Sequence, residues 1–287
     1  MGKRDADMWK NLSKVLGLVF MGCCVVLLLA VGVASPALAE TGAAPSPENT
    51  KAQSWEIFAG VGTVVHPEFP GSSSYNVTPI PFGEIRYQDR FFLNAYYGIG
   101  GRLFEKKFDE KHSFSLSASL RYGFANRDED DDPRFAGLGE VDNSIEVMMF
   151  ANYRFGDWNV GWEGAKALNS GGHEGISSTL YLEYIQRLFG HYMVRFGPFA
   201  SFGDGNYMQT FYGITDDQAA RSVFETFSAG AGIEKLGLRA NLLTFFSRRV
   251  GFFALANYSH LVGDAGKSPL IDSKNQFMSL AGVVYRF

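Results

Sequence analysis

Residues Phe114–Phe124, Phe-Ser-Leu-Ser-Ala-Ser-Leu-Arg-Tyr-Gly-Phe, decide the fold. In an extended chain Phe114, Leu116, Ala118, Leu120, Tyr122 and Phe124 fall on one face, and Ser115, Ser117, Ser119, Arg121 and Gly123 on the other. A period of two is the signature of a strand. One face is continuously apolar and the other is small or polar. A soluble sandwich or barrel also alternates, but it fills its inner face with bulky residues, where here three serines stand in a row.

The same alternation recurs along the chain. Ile145, Val147, Met149, Ala151, Tyr153 and Phe155 oppose Glu146, Asn152 and Arg154. Phe277, Ala281, Val283, Tyr285 and Phe287 oppose Gln276, Met278 and Arg286. Twelve strands are predicted, at 55–65, 78–87, 91–100, 113–125, 143–155, 158–168, 178–188, 191–202, 224–234, 237–246, 250–260 and 275–287, with ten to fourteen compatible with the pattern. Most match the length a tilted strand needs to cross a bilayer. The pattern therefore predicts an all-β protein, an antiparallel transmembrane β-barrel with lipid outside and a polar interior, which satisfies every backbone group without an apolar core. Tyr96, Tyr97, Tyr153, Trp158, Trp162 and Tyr285, near strand ends, suit an interfacial girdle.

The loops disagree with this strand list. Counting back from a periplasmic end of the last strand puts 261–274 outside, but it puts the long segments 126–142 and 203–223 inside, against the usual rule of short periplasmic turns. The suspects are 91–112, with a bend at Gly98–Gly101, and 224–246, broken only by Lys235-Leu236-Gly237.

Outside the barrel, Lys3, Arg4, Lys10 and Lys14 precede an uncharged run, Val15–Ala34, and Ala37 and Ala39 give a small-x-small cleavage pattern. The expected organisation is a signal peptide at 1–39, a flexible lead-in at 40–53 and a barrel at 54–287. A retained membrane anchor is the rival reading of the first segment. The only cysteines, Cys23 and Cys24, lie within it, so the barrel has neither disulfides nor thiolate metal sites. Across 287 residues the net charge is −4, which excludes nucleic acid as a partner. With 26 Phe and 13 Tyr the chain is too aromatic to be disordered.

Few residues suggest chemistry. His173 sits between turn glycines with Ser170 and Ser177 near, but spacing supplies no acid to orient it, and a loop histidine is the plainer reading. His66, His112, His191 and His260 are scattered and give no metal spacing. The acidic run Asp128–Asp132 could hold a divalent cation or simply be a solvated loop. No catalytic residue, metal or cofactor is expected. Thr215-Asp216-Asp217-Gln218 reads as a capping box opening a short helix inside the 203–223 loop. Tyr207, Met208, Phe211, Tyr212 and Thr215 there either pack inward or form an interaction surface. Arg121, Arg154, Arg195, Arg239 and Arg286 are expected to face the lumen and pair with Glu146, Glu163, Glu183 and Glu225. A barrel of this size is filled or narrow, so a wide porin is excluded.

Five segments, in order, resemble the MipA/OmpV (MltA-interacting protein) family of outer-membrane proteins. They are His66–Ser72 with Pro79-Ile80-Pro81; Gly137–Asp142; Gly171–Gly175; Tyr207–Thr215 with Gln218-Ala219-Ala220; and Leu261–Ala265 with Ser268-Pro269-Leu270. Phe69 stands where the family usually has Tyr, and Leu168-Asn169-Ser170 stands where an Asp often precedes the Gly-His element. The resemblance points to Gly71, Ser72, Gly172, His173 and Asp264 as family-motif loop residues. It implies an outer-membrane barrel of a Gram-negative bacterium, in contact with lipopolysaccharide and outer-membrane lipid. One member is described as a scaffold joining a murein lytic transglycosylase to a murein polymerase, and others are linked to osmotic response or adhesion. The last strand, with Tyr285 and Phe287, resembles the ends of chains recognised by the barrel-assembly machinery. The expected function is a non-enzymatic scaffold or envelope-interaction barrel for murein enzymes; a narrow passive or ligand-selective channel is the alternative.

Overall fold

In the computed structural model the deciding segment is a strand with Ser119 and Gly123 buried and Leu120 and Tyr122 exposed. The structure describes residues 55–123, 126–189 and 192–287. The expected signal peptide and lead-in lie outside the described residues.

Twelve antiparallel strands close into one barrel. They are β1 (Trp55–Pro67), β2 (Tyr75–Tyr87), β3 (Phe91–Asn94), β4 (Gly98–Lys107), β5 (His112–Gly123), β6 (Ser144–Phe155), β7 (Trp158–Ala167), β8 (Ile176–Leu188), β9 (Tyr192–Gly203), β10 (Gly232–Phe245), β11 (Val250–Leu261) and β12 (Asn275–Arg286). Each pairs with its neighbours in sequence, and β1 meets β12 to close the ring, Val61 opposite Val283. Closure leaves no free edge at the seam.

The count of twelve survives two opposed corrections. The predicted strand at 91–100 is a hairpin, β3 and β4, turning at Ala95–Tyr97 rather than at Gly98–Gly101. Asn94 makes that turn, its Oδ1 accepting from the N–H groups of Tyr96 and Tyr97 at 3.0 and 2.6 Å. The predicted strand at 224–234 does not form. One strand, β10, runs through Lys235-Leu236-Gly237, and 224–231 belongs to the preceding loop. With these changes the loops sort cleanly. Segments 68–74, 126–143, 168–175, 204–231 and 262–274 lie at one end, and Gln88–Arg90, Phe108–Lys111, Gly156–Asp157 and Phe246–Arg249 are short turns at the other. By the usual asymmetry the long loops face outward from the cell and the short turns face the periplasm.

The outer face carries exposed Val61, Leu120, Ile145, Val147, Met149, Val160, Leu180, Leu238 and Val283, the surface that meets lipid. Aromatic pairs collect at the short-turn end: Trp55 with Tyr87, Trp158 with Tyr184, Phe108 with Tyr153 and Tyr285 with Phe287. Tyr97 is not part of this girdle, because it turns onto Phe150 at 5.0 Å, inside the wall.

Candidate functional site: the capped lumen

The fully buried apolar side chains of this protein sit mostly in its long loops. Segment 204–231 contains two helices, α1 (Gly205–Tyr212) and α2 (Asp216–Ala219). Asp204 caps α1 by accepting from the Tyr207 N–H at 2.9 Å. Thr215 and Gln218 form the expected capping box on α2. Helix α1 packs against β8, β9 and β10. Around it Val141, Met208, Phe211, Tyr212, Ala229, Leu261 and Ala265 make one buried cluster. Phe69, Phe135, Leu138, Ile214 and Leu270 make a second, with Phe69 edge-on to Phe135 at 4.6 Å. These loops form a folded cap at the long-loop end.

Polar contacts bind the cap together. The Gly71 carbonyl accepts from the N–H groups of Asp272 and Ser273 at 2.8 and 2.9 Å, and the Gly71 N–H donates to Gln276 Oε1 at 3.1 Å. Gly71 has φ +94°, and an added Cβ would run into Ile271, so only glycine fits this crossing. Arg134 bridges Asp132 at 2.6 Å and Asp272 at 2.7 Å, tying the 126–143 loop to the 262–274 loop. The Arg134 hydrogen bond holds the Asp132 carboxyl below its ordinary value. Gln218 donates to the Leu138 carbonyl at 2.6 Å. Tyr212 donates to Glu234 at 2.7 Å; burial, together with that carboxylate, pushes the Tyr212 hydroxyl well above its ordinary pKa, so it stays protonated. Glu234 stands at a register shift between Ile233 and Lys235, a bulge that re-aims it toward the cap.

His173 has the acid that sequence spacing did not supply. Its Nε2 donates to Glu146 Oε1 at 3.1 Å, and Arg121 holds Glu146 Oε2 at 2.7 Å. The His173 Nδ1 accepts the Gly175 N–H at 3.2 Å. That pattern is the neutral imidazole with its proton on Nε2. Tyr207 and Phe211 of α1 pack on the ring at 5.2 and 5.9 Å. Both ring nitrogens are engaged, so His173 has no free lone pair with which to activate a serine. Among the described residues the buried Ser144 hydroxyl meets no hydrogen-bond partner, and Thr210 Oγ1 donates to the His173 carbonyl at 3.4 Å. The arrangement joins wall to cap.

The structure brings Gly71, Ser72, Gly172, His173, Tyr207, Met208, Phe211, Tyr212 and Thr215 into the cap, where Ser72, His173, Met208 and Tyr212 are completely enclosed. Asp264 accepts from the Gly230 N–H at 3.1 Å at the cap's edge. Tyr285 and Phe287 lie apart, at the short-turn end, where the Phe287 N–H donates to the Ile57 carbonyl at 3.0 Å. The acidic run is built into the cap, with the Glu129 carboxylate accepting from the Gly139 N–H at 2.7 Å. Among the described residues, no group of three or more His, Cys, Asp or Glu is placed to hold a metal.

Beneath the cap lies the polar lumen. Arg239 pairs with Glu183 at 2.8 Å and stacks over Tyr181 at 3.4 Å, and Tyr181 donates to Asn152 at 2.8 Å. The expected pairs form at Arg121–Glu146, Arg239–Glu183 and, at 3.8 Å, Arg239–Glu163, whereas Arg286 pairs with Glu56 and Glu225 lies in the 204–231 loop. Arg154 and Arg195 meet no carboxylate within ion-pair distance among the described residues. A cavity of about 650 Å³ runs from the short-turn residues Asp89 and Arg90 to Tyr96 and Tyr97 at the hairpin tip. Among the described residues, Arg86, Arg90, Arg102, Arg154 and Arg195 line it against three carboxylates, Glu84, Asp89 and Glu163. Sequence reasoning missed Arg86, Arg90 and Arg102, because their approach depends on the β3–β4 hairpin.

The sequence profile of a family described as MltA-interacting protein MipA matches residues 59–287. No curated protein matches the chain. Among solved structures, a KdgM porin in complex with disordered oligogalacturonate has 10% identity, covers 81% of this chain and 99% of its own, and gives a TM-score of 0.39. A bacterial polysaccharide outer membrane secretin has 9% identity, 81% and 98% coverage, and a TM-score of 0.41. The outer membrane protein OprD from Pseudomonas aeruginosa has 9% identity, 83% and 66% coverage, and a TM-score of 0.34. Likeness at this level says nothing of a shared ligand.

Proposed function

Since this chain belongs to the MltA-interacting protein MipA family and is an outer-membrane β-barrel of the Gram-negative envelope, we propose that it is a narrow, loop-capped channel that favours anions. The observation that carries the reading is the lumen cavity with five arginines against three carboxylates. A barrel serving only as a solid anchor has no use for charged groups held open to water in its interior. An excess of fixed positive charge in a low-dielectric wall concentrates anions. The cap's buried clusters keep the bore narrow at the outer end.

Planar-bilayer recording with the purified barrel tests this. Small, anion-selective steps are expected, and they should enlarge when 205–231 is replaced by a short linker. An unchanged baseline at high voltage in both proteins overturns the channel reading.

The family's description favours a second reading, a scaffold for murein enzymes such as a lytic transglycosylase and a murein polymerase. Murein lies in the periplasm. Such partners would therefore meet the short turns Gln88–Arg90, Phe108–Lys111, Gly156–Asp157 and Phe246–Arg249, and not Tyr207–Thr215 in the cap. Pull-down from solubilised membranes with substitutions in those turns tests it, and no specific retention counts against it.

A further inference from the structure

The barrel wall has a gap. Strand β2 pairs with β1 along its whole length, from Tyr75 to Tyr87, but with β3 only over Glu84–Tyr87. From Tyr75 to Gly83 its other edge has no strand beside it among the described residues. The next wall is β5, reached across the low β3–β4 hairpin, where Ile99 sits opposite Leu120. The sequence is suited to this edge. Pro79 and Pro81 have no N–H to offer a neighbour, which is how natural sheets protect an open edge. Asn76, Val77, Thr78 and Pro79, alternately on the two faces of β2, are all exposed, so the cap does not cover this side.

The gap has an apolar rim and leads to a mixed interior. Val77, Tyr96, Ile99, Leu120 and Tyr122 are exposed around it. Phe82, Phe92, Tyr97 and Phe150 follow inside and line the cavity, and Arg154 and Arg195 line its more distant part. Among the described residues, the buried Arg195 Nε meets no hydrogen-bond partner. A buried donor of that kind is costly unless something fills it.

We propose that this gap is a lateral doorway through which an amphipathic monoanion, a long-chain carboxylate, enters the lumen from the membrane, its head on Arg195 and Arg154 and its chain along Phe92, Tyr97 and Phe150. The order of surfaces matches the ligand: apolar rim, aromatic passage, then two guanidinium groups with no carboxylate partner among the described residues, Arg154 donating only to the Gly156 carbonyl at 3.2 Å. The proposal rests on the channel reading in that both use the same cavity. It is tested without measuring conductance, so either can fail alone.

The protein is reconstituted in phosphatidylethanolamine–phosphatidylglycerol vesicles containing a long-chain fatty acid with a mid-chain diazirine, irradiated, and mapped by mass spectrometry. Adducts are expected on Phe92, Tyr97 and Phe150, removed by excess oleate and not by water-soluble benzoate. The Arg154→Ala, Arg195→Ala double variant should need about tenfold more probe for the same lumen labelling, the worth of one charge-assisted hydrogen bond. Its outer-face adducts at Val77 and Leu120 should be unchanged, which reports correct insertion. Labelling confined to the outer face overturns the proposal, and so does lumen labelling that oleate does not displace or that benzoate displaces equally.

Discussion

His173 Nε2 lies 3.1 Å from Glu146 Oε1, a buried bond that ties a loop to the barrel wall. Glu146 belongs to β6 and is held from the other side by Arg121 of β5, while Tyr207 of α1 meets the imidazole edge-on. The histidine closes a path from strand to helix.

Replacing His173 with Ala removes a donor from an enclosed carboxylate and a platform from α1. A loss of about 1–3 kcal/mol in cap stability is expected. Limited chymotrypsin digestion of the detergent-solubilised barrel should cut at Tyr207 and Phe211 in the variant and not in the parent. Equal resistance would mean that the node does not hold the cap.

Within the cap, Met208→Ala leaves a void at a completely enclosed position and should cost about 2–5 kcal/mol. Tyr212→Phe strips Glu234 of its 2.7 Å donor and should cost about 1–3 kcal/mol. The lipid-facing Leu120→Ala, outside the cap, should leave cap melting unchanged. Thermal scans following near-ultraviolet circular dichroism separate the three.

The Arg134 bridge makes the cap acid-sensitive in one direction. Hydrogen bonding to Arg134 lowers the folded-state pKa of Asp132 below its unfolded value, so its stabilisation is complete above the ordinary carboxylate range, about pH 4. It is lost as pH falls through the lowered value. The cap should therefore hold from pH 7 to pH 5 and loosen below about pH 4. Arg134→Ala should flatten this dependence, and a variant with the parent's acid profile would refute the assignment.

Gly71→Ala meets two obstacles, a φ of +94° and the Ile271 side chain. Strain of about 1–3 kcal/mol is expected. Adding Ile271→Ala should recover the steric part and leave the backbone part. Complete recovery would show that φ carries no cost here.

The strands were legible because membrane and lumen impose opposite polarity on alternate residues, as at Phe114–Gly123. Two segments misled for physical reasons. The Asn94 side chain makes the turn at Ala95–Tyr97 and Gly98, with φ +71°, only closes it, so the turn lies just ahead of the glycines that marked the bend. Phe224–Gly230 alternates because it lies against the cap, where only Phe227 bridges to Ile214, and not because it joins the sheet. Phe69, Leu138, Ile214 and Leu270 come from four of the family-like motifs and meet in one cluster. Their meeting could not be read, because it depends on closure between distant parts of the chain. The Glu146 partner of His173 was hidden in the same way, on a strand whose alternation marked it only as inward.

The clasp formed by Gly71, Asp272, Ser273 and Gln276 lies over the join between β1 and β12. The loop after β1 and the loop before β12 are therefore locked together where the first and last strands meet. That makes the clasp an event in time as well as a contact in space. The two strands that close the sheet are separated by ten others in sequence, and non-local closure of this kind is slow. A chain unable to fasten Gly71 would linger with two raw strand edges exposed, open to other chains and to proteases of the envelope. Its deficiency would then register in how much protein reaches the membrane, with little change in how the finished molecules work.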